Sequence, residues 1–365
     1  MSVLLRGIGV ATPPHQMTQD QAAELARTVI CRTEQQQRLL TALYRKAGIE
    51  HRHSVLPYTT ALNWLPESPT GKQEDRPATL GPSTAERMRY YSEFAPPLAQ
   101  TAATAALADA SAPPAEITHI ITVSCTGFEA PGIDVALIGS LGLASTTQRL
   151  QIGFMGCHGA INGLRAAHAI AAADPRACVL LAAVELCSLH YRFTWEPERL
   201  VANALFADGA AAAVIGGTDE RQNHHAWHLG ATGSCLIPDS QPAMSWRIGD
   251  HGFEMTLDAC VPELIERDLR PWLIQWLGGH GLTLDGIGSW AVHPGGPRIL
   301  AAIEKSLELP QHATSVSREV LAQNGNMSSP TVLFIVNRLR ERGAPRPCVA
   351  LGFGPGLFAE AALFV

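Results

Sequence analysis

Short runs of apolar and β-branched residues recur along this chain, separated by longer stretches of helical pattern. Residues 2–10, 119–125, 150–154, 178–184, 210–215, 289–292, 348–353 and 359–364 read as buried strands. Helical patterns cover 18–47, 96–110, 158–173, 259–277, 297–307 and 329–343. Strands that alternate with helices predict an α/β fold with largely buried sheets. Residues 55–85, rich in Pro, Thr and Ser, form a long excursion of the kind that often acts as a lid or functional loop. The polar stretch 217–228 reads as a link between two halves, 1–220 and 221–365. No short-period repeat or low-complexity segment is present.

Composition narrows the function. The 365 residues are 46% hydrophobic and 16% charged, which excludes disorder and allows a large core. The net charge is −6 and there is no basic stripe, which argues against a nucleic-acid partner. None of the eight cysteines has C-x-x-C spacing, so a structural zinc site is not expected and no metal is called for. Several cysteines sit in apolar runs, which suits a reduced, cytoplasmic protein. The opening MSVLLRGIGVATPP lacks a basic start and is interrupted by Arg6, so it does not read as a signal peptide. No apolar run is long enough to predict a membrane span. His224, His225 and His228 read as a solvated turn rather than a metal site, and Asp208 as a turn or hydrogen-bonding residue.

Candidate chemistry begins at Cys157. In Gln151-Ile152-Gly153-Phe154-Met155-Gly156-Cys157-His158-Gly159-Ala160 a strand gives way to an Ala-rich helix, with glycines on both sides of the cysteine. Glycine there permits a tight turn and close approach of a substrate. A cysteine at a helix start is favoured as thiolate. A free thiol titrates near about 8.5, and lowering that by about 2 makes thiolate the major form, at about 2.7 kcal/mol. A helix end supplies about 0.3–1 kcal/mol, or about 2 when partly buried, so a second positive partner is needed. An imidazolium is the natural one. By itself Cys157 reads equally well as a small core residue.

Two further motifs change that balance. Ser289-Trp290-Ala291-Val292-His293-Pro294-Gly295-Gly296-Pro297 is a strand ending on a histidine, where open α/β sheets commonly face a ligand crevice. Asn324-Gly325-Asn326-Met327-Ser328-Ser329-Pro330 is a turn entering a helix, with an amide able to donate to an oxygen. Taken singly these are a satisfied histidine and a helix cap. Taken together with Cys157 they supply a nucleophile, a base and a hydrogen-bond donor.

These motifs resemble the chalcone-synthase superfamily, the type III polyketide synthases. GCHGA at Cys157, VHPGGP at His293, GNMSSP at Asn326, GFGPG at Gly352–Gly356 and ALFADGAA around Phe206 match in order over nearly the whole chain. The resemblance implies a thiolase-like fold, two βαβαβ-type halves in five αβαβα layers, and a homodimer. It implies a tunnel for coenzyme A leading to a buried cavity. It implies an acyltransferase in which Cys157 takes an acyl starter from its CoA thioester. His293 then pairs with the thiolate and stabilises an oxyanion. Asn326 orients malonyl-CoA for loss of CO2. The product is cyclised to a pyrone or aromatic ring, and the CoA thioesters are substrates, with no further cofactor.

The resemblance also marks the cavity. Phe206 matches a gatekeeper, and Met255 stands where plant members have a second gatekeeper phenylalanine. Cys125 lies 32 residues before Cys157, as in some bacterial members, with Thr126 beside it. Cys187 and His190 replace plant threonines, Trp246 falls at a cavity glycine, and Ser328 matches a serine near the nucleophile. Gly354 and Pro355 lie in a loop that shapes the cavity wall. Lys46, and Arg45 beside it, match the position of a basic contact to CoA phosphates. These departures point to a bacterial type and leave starter and product open. The rival readings are a ketoacyl synthase III-like or hydroxymethylglutaryl-CoA synthase-like condensing enzyme, a non-catalytic scaffold subunit, and a papain-like hydrolase. The GFGPG and GNMSS motifs favour the polyketide synthases over the first two, and the complete set of three residues argues against a scaffold. Local settings unlike papain's argue against the hydrolase.

Overall fold

A computed structural model describes residues 3–72, 75–217 and 227–365. The expected boundary at 220/221, together with His224 and His225, lies outside the described residues. Nine strands form one mixed sheet. From edge to edge they are β11 (Ser289–Val292), β12 (Cys348–Gly354), β13 (Phe358–Phe364), β8 (Trp227–Leu236), β1 (Val3–Ala11), β7 (Asp208–Gly217), β6 (Cys178–Leu186), β4 (His119–Ser124) and β5 (Gln148–Gly153). β4 runs parallel to both β5 and β6, and β11 parallel to β12, while the remaining neighbours are antiparallel. The two parts of the sheet meet where Val3 to Leu5 pair with Leu229 to Trp227.

The period of two along each strand builds the layers. In β6, Val179, Leu181 and Ala183 join a central core, whereas Leu180, Ala182 and Val184 face an outer one. In β12, Cys348 and Ala350 face the centre, and Val349, Leu351 and Phe353 face the opposite outer core. The centre is filled by α6 (Gly159–Ala173) and α11 (Thr331–Glu341), whose Ile161, Leu164, Leu333 and Val336 are fully buried. α4 (Thr84–Asp109) and α5 (Ile133–Leu141) cover one outer face. α8 (Val261–Gly278) and α9 (Pro297–Leu307) cover the other. Helix, sheet, helix, sheet and helix follow one another, which is the expected αβαβα order.

A separate apolar lobe is built from α1 (Gln19–Ile30), α2 (Glu34–Lys46) and α7 (Pro197–Leu205), with short α3 (Thr60–Asn63) inside the 55–85 excursion. The helix expected over 18–47 is two helices. Thr33 and Gln36 form a capping box that starts α2, as Thr18 and Gln21 do for α1, and Cys31 between them is extended. Such a cap stabilises a helix start by about 1 kcal/mol, enough to divide a continuous pattern. The helix expected from residue 96 begins at Thr84, capped by Ser83, and runs through Pro96 and Pro97.

Two strand expectations change. β5 is not buried: its residues are mostly exposed, Leu150 to 42%. It is an edge strand with three polar residues among its first four, paired only with β4. The region of Trp246, which showed no strand pattern in the sequence, is a hairpin of β9 (Met244–Gly249) and β10 (Gly252–Leu257). A second small pair, β2 (His15–Thr18) and β3 (His51–Ser54), flanks the lobe. β8, α5, α7 and α10 (Ser315–Asn324) had no distinct sequence pattern.

Candidate active site

Three segments bring the candidate triad together. β5 ends at Gly153, Phe154 and Gly156 take positive φ of 58° and 71°, and a 3-10 turn over Gly156–His158 carries Cys157 into α6. The turn is held from behind. A Cβ on Gly156 would lie 2.4 Å from Pro355 Cδ, and one on Gly354 2.5 Å from both His158 Cδ2 and the Met155 carbonyl. The GFGPG loop therefore presses directly on the cysteine turn, and only glycine fits there.

Asn326 sits in the equivalent place before α11. Gly325 has φ 72°, and Ser328 has φ 56°. The Asn326 Oδ1 accepts from Ser328 N at 2.8 Å, which leaves its amide nitrogen for the cavity. The Asn326 backbone is bridged to Phe206: its N–H donates to the Leu205 carbonyl, and its carbonyl accepts from Ala207, each at 2.9 Å. His293 follows β11, anchored by its N–H to the Leu351 carbonyl at 2.8 Å. Cys157, His293, Asn326, Phe206 and Met255 line one small cavity.

The electrostatics differ from a ready-made ion pair. Burial pushes the Cys157 thiol up to about 12, with Glu185 adding to the rise, although hydrogen bonds from Ser328 and Asn326 favour the thiolate. Burial, and then His158, push His293 down to about 3. Each shift is the cost of charging one group alone in a dry site. Both His293 ring nitrogens are buried without a hydrogen-bond partner among the described residues. That leaves them open to a reacting group, since a buried polar atom without a partner is costly.

The other expected residues are spread over a larger cavity that opens from Cys157 and holds about 1260 Å³ of space, part of it continuous with solvent. Cys125, Thr126, Cys187, His190, Trp246, Ser328, Pro355, Phe206 and Met255 all line it. Trp246 Nε1 donates to the Cys125 carbonyl at 2.7 Å. His190 Nδ1 accepts from Phe253 N at 2.9 Å, so Nε2 carries the hydrogen and donates to the Thr126 carbonyl at 2.7 Å. Burial lowers His190 to about 3, and it stacks on Phe253, with ring centroids 4.3 Å apart. His190 and Trp246 thus latch the β9–β10 hairpin onto the Cys125–Thr126 backbone. Gly354 packs on the cysteine turn rather than lining the cavity. Arg45 and Lys46 are exposed at the end of α2, outside both cavities.

Sequence reading missed Glu185. It is fully buried, and burial raises it to about 7. Its Oε2 accepts from Cys125 N at 2.9 Å and Thr126 Oγ1 at 2.8 Å, and its Oε1 from Ser329 Oγ at 2.7 Å. One carboxyl thereby joins the cysteine side to the start of α11. An acid inside the apolar run of β6 was the available signal. Asp208 is the hydrogen-bonding residue expected, accepting from Val55 N at 2.9 Å and Ser188 N at 2.7 Å. His228 lies on β8 with its backbone paired to Val365. Among the described residues no group of three side chains is placed to hold a metal ion.

Known proteins share this fold. Residues 2–219 match the family described as chalcone and stilbene synthases, N-terminal domain, and residues 228–365 match its C-terminal domain. A 1,3,6,8-tetrahydroxynaphthalene synthase of Streptomyces peucetius subsp. caesius is 34% identical over 98% of this chain and 93% of its own. The alpha-pyrone synthesis polyketide synthase-like Pks18 of Mycobacterium tuberculosis is 29% identical over 99% and 90%. Among solved structures, PKS-I from the brown alga Ectocarpus siliculosus superposes with a TM-score of 0.91 at 28% identity, covering 100% of this chain and 98% of that one. The tetrahydroxynaphthalene synthase of Streptomyces coelicolor superposes at 0.86 with 32% identity, covering 100% and 99%. With both halves matched and the thiolase-like fold in place, the chain belongs to the chalcone and stilbene synthase family and is a type III polyketide synthase, a condensing acyltransferase.

Proposed function

We propose that Cys157 carries the growing chain and that His293 and Asn326 drive its extension by malonyl-CoA. The supporting observation is that these three residues, from three distant segments, meet at one small buried cavity. The Cys157 thiol passes its proton to His293, and the sulfur attacks the carbonyl of an acyl-CoA. Coenzyme A leaves as a thiol, taking that proton. Malonyl-CoA then binds with its thioester oxygen against the Asn326 amide and His293. Its carboxylate departs as CO2, leaving an enolate, and hydrogen bonds to that oxygen in a dry site are worth several kcal/mol. The enolate carbon attacks the acyl–sulfur carbonyl, a carbon–carbon bond forms, and the Cys157 thiolate is released. The extended thioester returns to Cys157, and cyclisation gives a pyrone or aromatic ring, as the names of the two relatives suggest. Phe206 and Met255 gate the way in, and Lys46 and Arg45 meet the phosphates of CoA. No cofactor takes part.

The same reading makes the protein a cytoplasmic homodimer of two-halved chains, divided near 220/221. The eight free cysteines suit a reducing compartment. The half-paired edge β5, with Phe128, Leu150 and Met155 exposed close by, suits a partner chain. No described helix is long and apolar enough to cross a membrane. The test is incubation with malonyl-CoA and aromatic, short and long acyl-CoA starters, read by mass spectrometry. CO2 release, an acyl adduct on Cys157 and cyclic products are expected. Absence of all three across the panel would overturn the reading.

A further inference from the structure

The large cavity does not end at the cysteine. It continues into the apolar lobe of α1, α2 and α3, where Met17, Ala22, Leu25 and Trp64 form its wall. Among these apolar residues stands a polar group that the reaction does not use: Tyr44, Tyr58, Tyr191 and Arg52. The Tyr58 hydroxyl and Arg52 Nε are buried without a hydrogen-bond partner among the described residues. Tyr44, only 1% exposed, and Tyr191 face one another, so the pair uses at most one of its two hydroxyl hydrogens. The other guanidinium nitrogens of Arg52 are spent on the carbonyls of Asn203, Phe206 and Ala204 and on Gln19, none of them a carboxylate. Its guanidinium lies 5.6 Å from the Tyr44 ring centre.

Buried donors are almost always satisfied, so donors left open along a cavity wall mark the place of an acceptor brought by a ligand. Condensation chemistry says which end of the ligand reaches them. Each extension inserts carbons between the starter and the sulfur, so the far end of the chain is always the far end of the starter. We propose that this chamber is a second recognition site, which takes the distal end of an acyl starter that bears an oxygen acceptor there, as hydroxyl or carboxylate. Tyr58, Arg52 and the Tyr44–Tyr191 pair donate to that oxygen, while the apolar wall holds the methylene chain. Starter choice is then made far from the sulfur. This inference rests on the proposed condensing activity.

The test compares plain, ω-hydroxy and ω-carboxy acyl-CoA starters in matched medium chain lengths, each with malonyl-CoA, and measures kcat/KM from product formation. At the length that spans the cavity, an ω-oxygenated starter should exceed the plain one by about tenfold or more, chiefly through KM. In Tyr58→Phe that ratio should fall toward one. A carboxylate or a hydroxyl preference supports the site, provided that it is lost in Tyr58→Phe. Plain chains preferred at every length, or a preference that survives Tyr58→Phe, would overturn it. Turnover of plain starters without discrimination defeats only this inference, whereas no turnover of any starter defeats the condensing activity itself.

Discussion

The turns that carry Cys157 and Asn326 use one backbone device twice. Each has a glycine at positive φ, 71° at Gly156 and 72° at Gly325, then the functional residue, then a helix buried in the middle layer. What differs is the side chain and what surrounds it. The thiol meets hydrogen bonds that favour its anion and burial that opposes it, whereas the Asn326 amide is pinned through its oxygen and is neutral at every pH. The comparison teaches that a glycine at positive φ precedes two side chains of different chemistry that meet at one cavity. Glu185 spans the two, with one oxygen on the Cys125–Thr126 side and the other on Ser329.

The strongest challenge to that division is to remove each side chain in turn. Cys157→Ala should abolish starter loading, seen as loss of the acyl adduct by intact mass. Asn326→Ala should still load but release CO2 about 10²–10³-fold more slowly. Loss of loading in Asn326→Ala would mean that the two turns do not divide the work.

Glu185 tests their connection. Its folded pKa is raised from 4.5 to about 7, so the folded protein holds this proton more tightly than the unfolded chain. Its stabilising contribution is complete below pH 4.5 and is lost as pH rises through 7. The size is about 3 kcal/mol. Glu185→Gln keeps an acceptor for Cys125 N and offers a donor to Ser329, so its stability should fall less across that window. Denaturant midpoints at both ends check it, and parallel curves for the two proteins would refute it.

Alanine at the two glycines probes the backbone device directly. Gly156→Ala meets Pro355 at 2.4 Å and Gly325→Ala meets the Ala207 Cβ at 2.9 Å. Both should destabilise by about 1–3 kcal/mol, Gly156→Ala the more, as read by thermal melting. The smallest effect is expected at His293. His293→Ala, which removes the proposed proton acceptor, should slow alkylation of Cys157 at neutral pH by about tenfold. An unchanged rate would show that the thiolate forms without the imidazole.

Much of this was legible in the sequence. The strands of the sheet stood out because alternate residues fill different cores, which demands apolar side chains on both faces, as in Val179–Val184. The three site motifs stood out because their turns need glycine and proline at fixed places, as at Gly156 and Gly325. What stayed hidden depends on packing between distant segments. Tyr44, Tyr58 and Tyr191 belong to three separate stretches, and nothing local links them. Leu150 looked buried because an apolar residue in a strand is ambiguous until its neighbours are known. The cost of charging Cys157 was also invisible, since it depends on how dry the finished site is.

The placement of α11 has a consequence for the making of the protein. Thr331 to Asn337 are all buried, and they fill the space that α6 and the inner face of the sheet leave open. On the ribosome the cysteine half emerges first, with that face still bare. α11 closes the core, and the turn before it brings Asn326 to the thiol. Core closure and the meeting of Asn326 with Cys157 are therefore a single event: a nascent chain that still lacks α11 leaves an apolar face bare and keeps the two residues apart.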